Sequence, residues 1–109
     1  MTTPSVACKI LPKTDWDTWC STGRFLGAGI DIQSHFIHLA AESQAEEILR
    51  LFFSGARNLV VVTIDLSRLG STVRWETAPE MPDVLFPHCY GEIPMSAVIS
   101  HRFIAEVPK

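Results

Sequence analysis

The chain has 109 residues, of which 47% are hydrophobic and 19% are charged, and its formal net charge is -3. This length predicts a single domain over residues 1–109, and the composition excludes a disordered chain. The apolar runs are too short to span a membrane, and the N-terminus has no positive charge before a long apolar segment, so we expect a cytoplasmic protein. Lys and Arg form no stripe, which disfavours binding to long nucleic acid but not to a small nucleotide.

The first predicted elements are a strand over residues 6–11 and a helix over residues 15–22, with Thr14 as the helix N-cap. Lys9 lies between apolar residues in this strand. Two interpretations stay open: a lysine of an edge strand whose charged end reaches water, or a ligand of phosphate or carboxylate.

Residues 24–34 predict a loop, because Gly27 and Gly29 permit unusual backbone angles. Asp31 follows these glycines directly. The pattern is not a dinucleotide-binding fingerprint, since the third glycine is missing, but a loop of this kind can close over a ligand.

The next predicted strand begins at residue 35 and carries His38 among apolar neighbours. Alternation of side chains places Phe36 and His38 on the same face. Ser43 and Glu46 fit a capping box at the start of a helix over residues 44–53. His38 is therefore either a ligand group at a strand end or a histidine packed and hydrogen-bonded for structure.

The second half of the chain predicts strands. Residues 59–65 are apolar on both faces, which is typical of a central strand. In a further strand over residues 72–76, Arg74 and Glu76 face one way while Val73 and Trp75 face the other.

Residues 77–83 predict a loop, and residues 85–91 are dense in groups that donate, accept or stack, including His88 and Tyr90. A last half-buried strand over residues 99–107 places His101 on its apolar face. Together the elements predict an α+β fold, in which a curved, largely antiparallel sheet carries two helices on one side.

Metal and disulfide chemistry are not expected. His35 and His38 point to opposite faces of a strand, and the sequence has no Cys-x-x-Cys or His-Glu-x-x-His motif. The three cysteines, Cys8, Cys20 and Cys89, are odd in number and widely spaced, which favours reduced thiols.

Polar and aromatic side chains at predicted strand ends form the candidate site. We predict Glu76 and His38 as catalytic residues, because a carboxylate and an imidazole stabilise charge and move protons. The predicted cofactor-binding residues are Lys9, Asp31, Trp75, His88 and Tyr90. Each has an ordinary alternative: for example, Glu76 as the partner of Arg74 or Lys9, or Tyr90 as a core anchor.

Several motifs, in order and spacing, resemble the small bacterial proteins of domain-of-unknown-function family nine-five-two. They are Lys9-Ile10-Leu11, the helix around Trp16, Gly23-Arg24-Phe25-x-Gly27, Asp31, Phe36-Ile37-His38-Leu39, Gln44, Trp75-Glu76 and Phe86-Pro87-His88-x-Tyr90-Gly91. That family looks like a compact relative of the ADP-ribosyltransferase-like fold. The strand that contains His38 is similar to the Val-His-Leu-Ser strand of RNA 2'-phosphotransferases, which use NAD.

The resemblance implies an ADP-ribosyltransferase-like fold, NAD as the cofactor and a small-molecule or nucleotide ligand as the partner. Our first hypothesis is accordingly a pocket for NAD or an ADP-ribose derivative, with chemistry related to ADP-ribosyl transfer. Lys9 stands where the phosphotransferases carry a His-Gly pair, and Ala40 replaces the motif serine. The second hypothesis is therefore a non-enzymatic binding or protein-interaction domain that keeps the fold without the activity.

Overall fold

The computed structural model describes residues 4–109, in which β-strands contain more residues than helices do. The strands and helices are β1 (Val6–Pro12), α1 (Lys13–Thr22), β2 (Arg24–Phe25), α2 (Ile30–Ser34), β3 (Ile37–His38), β4 (Ala40–Ala41), α3 (Ala45–Phe52), β5 (Arg57–Asp65), β6 (Val73–Ala78), β7 (Met81–Cys89), β8 (Ile93–Pro94) and β9 (Val98–Glu106).

The strands form antiparallel sheets, the largest of which has the order β4-β1-β5-β9. β2 pairs with β8, and β3, β7 and β6 form a three-stranded sheet in that order. β5 lies inside the largest sheet, and Val60, Val61 and Val62 are all buried. The predictions of an α+β fold, of a largely antiparallel arrangement and of a central strand near residues 59–65 are confirmed.

The two long helices lie on opposite faces of the four-stranded sheet. Trp16 and Trp19 of α1 pack in one cluster with Val60 and Val62. Ala45 and Leu49 of α3 pack in a second cluster, with Leu59 and Val61. Because neighbouring side chains of a strand point to opposite faces, this pattern places one helix on each side. The prediction of two helices on one side was wrong, and α2 is a third helix.

The predicted loop over residues 24–34 contains β2 and the short helix α2. His35 ends α2 with a φ of 63°, and its backbone N–H donates to the Asp31 carbonyl at 3.0 Å. Ala28, which lies between the two glycines, packs against the core. Residues 24–34 therefore fold back on the core, and the glycine content of the segment did not predict β2 or α2.

The predicted strand from residue 35 is divided between two sheets. β3 pairs with β7, whereas β4 pairs with β1, so the chain changes sheets at Leu39. The capping box predicted at Ser43 and Glu46 was also wrong. Gln44 closes this turn instead: its side-chain Oε1 accepts from the Ala41 amide at 2.8 Å.

Other boundaries differ by a few residues. Helix α1 begins at Lys13 with Pro12 as its N-cap, two residues before the predicted start at residue 15 with Thr14 as the N-cap. The predicted loop over residues 77–83 is a tight hairpin between β6 and β7. His101 is exposed and lies against the Trp16 ring at 4.9 Å between centroids, because β9 is an edge strand with little packed over it.

None of the described helices has the length and apolar composition needed to cross a bilayer. The three thiols are free, as predicted, with Cys8 and Cys89 buried and Cys20 exposed.

Candidate functional site

Asp31 is the centre of a buried polar network that joins three elements. Its carboxylate accepts from Lys9 Nζ of β1 at 2.9 and 3.1 Å. It also accepts from the backbone amide of His38 at 2.9 Å and from the Ala28 amide at 3.1 Å, and His38 Nδ1 lies 2.7 Å from Oδ1. Lys9 Nζ donates further to the His38 carbonyl at 3.0 Å. The network therefore fixes His38 relative to β1 and α2.

The charges in this network are almost fully removed from water, with side-chain exposures of 8% for Lys9 and 1% for Asp31. Burial raises the pKa of Asp31, but the hydrogen bonds from His38 and the charge of Lys9 outweigh it and hold the pKa at about 2. Burial lowers the pKa of Lys9, and the Asp31 carboxylate opposes that effect. Asp31 is thus a carboxylate at neutral pH.

Gly27 allows the chain to pass close to Asp31. Its φ is 110°, and a Cβ at this position would lie 3.0 Å from the Asp31 Cβ. A side chain here would both strain the backbone and displace the carboxylate. Gly27 consequently has a structural role in the network, beside the Ala28 amide that donates to Asp31.

A second histidine is held by a carboxylate in the three-stranded sheet. His88 Nδ1 lies 2.8 Å from Glu76 Oε1, and the Tyr90 hydroxyl donates to the same oxygen at 2.6 Å. The hydrogen bonds from Tyr90 and then from His88 lower the pKa of Glu76. The hydrogen bond to Glu76 raises the pKa of Tyr90.

Phe36 brings the two histidines into one cluster. Its ring centroid lies 4.5 Å from that of His38, 4.1 Å from that of His88 and 5.2 Å from that of Tyr90. His38 and His88 are cross-strand partners in β3 and β7, and their ring centroids are 5.7 Å apart. Side chains at such a pair project from the same face of the sheet, so both rings are directed to one place.

That place is a cleft with a volume of about 780 Å³, within the range typical of small-molecule sites. The cleft runs along the part of β1 that follows Cys8, where β1 is no longer paired with β4. Its wall is mainly apolar, and Ile30 and Phe52 on its rim are 60% and 54% exposed. An apolar wall with a few fixed polar groups is the usual form of a ligand site.

The predicted site residues divide into three groups. Lys9, His38 and His88 line the cleft. Asp31 and Tyr90 line a smaller adjoining hollow of about 300 Å³. Glu76 and Trp75 line neither of these two spaces.

The side chains of Glu76 and Trp75 have different surroundings, because neighbouring side chains of a strand point to opposite faces. Glu76 shares the face of His88 and holds that ring, whereas Trp75 points to the other face and packs against the core. Trp75 thus lies on the face of β6 opposite to Glu76. Phe36 was not predicted as a site residue, although its place two residues before His38 in the predicted strand was the signal for it.

The fold and cleft define a small α+β protein with a pair of carboxylate-held histidines. The family model of a protein of unknown function, DUF952, matches residues 10–101, and the chain belongs to that family. No match was found among curated proteins.

The chain is similar to solved structures of protein CC0527 from Caulobacter crescentus. The crystal structure is 32% identical, with a TM-score of 0.83 over 95% of this chain and 93% of that one. The solution NMR structure is also 32% identical, with a TM-score of 0.80 over 94% of this chain and 86% of that one.

Proposed function

We propose that the cleft binds a nucleotide-type ligand such as NAD or ADP-ribose. The observation that carries the proposal is the convergence of His38 and His88 on one apolar cleft, each ring fixed by a carboxylate. Fixed rings bind a ribose hydroxyl or a phosphate oxygen without first losing rotational freedom. The apolar wall suits a base or a nicotinamide ring.

The sequence resemblance to ADP-ribosyltransferase-like proteins supports the same ligand class, and the relation to that fold is part of the proposal. Transfer of ADP-ribose from NAD, with His38 and Glu76 as catalytic residues, stays a prediction. In this geometry Glu76 acts through His88 rather than on the ligand directly, because it lines neither the cleft nor the hollow and its Oε1 accepts from His88. Release of nicotinamide from NAD is the assay for this activity.

A second candidate function is a binding or interaction domain without catalysis. One observation favours it: Lys9, which replaces the His-Gly pair of the phosphotransferases, is held in the buried ion pair with Asp31. Its ammonium group donates to Asp31 and to the His38 carbonyl. A lysine with these hydrogen bonds has a structural role in the site. Ligand binding without release of nicotinamide would favour the non-catalytic function.

The binding proposal is tested by calorimetry and thermal unfolding with NAD, ADP-ribose and AMP. A ligand at a hundred times its dissociation constant stabilises the fold by about 2.7 kcal/mol. Absence of both heat and stabilisation at millimolar concentrations of all three ligands would contradict the proposal.

A matched pair of variants locates the binding site. Phe52 and Phe103 are 54% and 53% exposed, but only Phe52 lines the cleft. We expect Phe52→Ala to weaken binding about tenfold, equivalent to about 1.4 kcal/mol, and Phe103→Ala to leave it unchanged. Equal effects of the two substitutions would place the ligand elsewhere.

A further inference from the structure

The protonation pattern of the two histidines follows from their partners. Asp31, with a pKa of about 2, and Glu76, with a lowered pKa, are carboxylates at neutral pH and can only accept hydrogen bonds. Nδ1 of His38 and Nδ1 of His88 must therefore both donate. Within residues 4–109 neither Nε2 atom has a protein hydrogen-bond partner, and both rings line the cleft.

Each of the two histidines has the arrangement in which a carboxylate orients a catalytic imidazole, and both rings line the same cleft. The carboxylate holds the ring by Nδ1 and balances the charge that forms when Nε2 takes a proton. A single such ring serves as a base. Two rings whose centroids are 5.7 Å apart are close enough to contact two oxygens of the same phosphoryl group.

We propose that His38 and His88 form a general base and general acid pair that hydrolyses a cyclic phosphodiester of a nucleotide. The inference rests on the proposed function, since the base and ribose of the substrate occupy the same cleft. It adds a reaction and a substrate class to that function. The nucleoside 2',3'-cyclic monophosphates are the simplest members of the class.

In the proposed step, neutral Nε2 of one histidine takes a proton from water while the water oxygen forms a bond to phosphorus. The bond between phosphorus and one ribose oxygen breaks, and protonated Nε2 of the other histidine gives its proton to that oxygen. The products are a nucleoside monophosphate and the two histidines with their protonation states exchanged. Proton exchange with solvent restores them, so water is the only co-reactant.

The experiment is incubation of the protein with adenosine 2',3'-cyclic monophosphate, followed by phosphorus NMR of ring opening. Wild type should form adenosine monophosphate. His38→Asn and His88→Asn each keep a donor near the Nδ1 position but remove Nε2, and each should lower the rate by about 10²–10⁴-fold. The control is His101→Asn, at an exposed histidine outside the cleft, which should retain the rate.

Two results of this experiment would overturn the proposed hydrolysis. Absence of turnover by wild type overturns it, as does turnover that either cleft variant retains. If an asparagine variant does not fold, as judged by circular dichroism, the glutamine variant of the same histidine replaces it. Calorimetry with NAD and ADP-ribose separates the two proposals: binding without turnover overturns the hydrolytic inference alone, whereas absence of both overturns the proposed function as well.

Discussion

Asp31 Oδ1 contacts His38 twice, by accepting from the backbone amide at 2.9 Å and from ring Nδ1 at 2.7 Å. One carboxylate oxygen thus fixes both the strand position and the ring orientation of His38. The other oxygen accepts from Lys9 and from the Ala28 amide. The fold and the candidate site share this residue, so a change at Asp31 affects both.

Asp31→Asn should therefore destabilise the fold. The amide cannot balance the buried charge of Lys9, and loss of one partner of a buried ion pair costs about 3–5 kcal/mol. The control is Asp17→Asn, which removes an ion pair with Lys13 at the surface and should cost less than about 1 kcal/mol. Urea midpoints at unchanged slope measure both losses. A cost at Asp31 as small as that at Asp17 would contradict the role of this network.

The low pKa of Asp31 gives the stability a definite pH dependence. The pKa is about 2 in the folded protein and 3.8 for an ordinary Asp, so the carboxylate stabilises the fold above about pH 4. As pH falls from about 4 to 2, roughly 2 kcal/mol of this stabilisation is lost. Carbon NMR of the Asp31 carboxyl group measures the titration directly. A midpoint at or above 4 would show that Lys9 and His38 do not hold the charge.

Alternation along β6 explains how far the sequence predicts the site. The prediction that Arg74 and Glu76 share one face and Val73 and Trp75 the other agrees with the structure, where Trp75 packs on the core and Glu76 holds His88. The same alternation predicts that Phe36 and His38 share a face, and their ring centroids lie 4.5 Å apart. Period-two patterns are local, so they can be read from one segment.

The Asp31 network could not be predicted from the pattern of one segment. Lys9 and Asp31 are 22 residues apart, and they meet only because α2 folds back on β1. The change of sheet at Leu39 likewise depends on which strands are available for pairing, and no residue near Leu39 encodes those partners. Long-range pairing of this kind is a property of the whole fold, and local propensity does not determine it.

The hydrogen bond between Tyr90 and Glu76 is open to a direct test, because the chain has a single tyrosine. The hydrogen bond to Glu76 raises the pKa of the Tyr90 hydroxyl. Glu76→Gln should return this pKa towards its ordinary value, as followed by ultraviolet absorbance during a pH titration. The exposed Glu106→Gln is the control and should leave it unchanged. An unaltered tyrosine titration in the Glu76 variant would rule out the contact.

The burial of the cysteines predicts their reactivity. Burial raises the pKa of the Cys8 thiol, and Cys89 is fully buried with its thiol donating to the Gly91 carbonyl at 3.3 Å. In the native protein a thiol reagent should therefore label Cys20 alone. Cys20→Ser should remove this labelling, and unfolding in urea should expose the other two thiols. Equal labelling of two or more cysteines in the native state would contradict the packing around β1 and β7.

We propose above that the Nε2 atoms of His38 and His88 bind a nucleotide-type ligand in the cleft. Nitrogen NMR of the histidine rings tests it most directly, during titration of uniformly labelled protein with ADP-ribose. If both histidines bind the ligand, the Nε2 signals of His38 and His88 should shift together and saturate, while the ring signals of His101 stay in place. Unchanged Nε2 signals of both cleft histidines at saturating ADP-ribose, or equal shifts at His101, would contradict it.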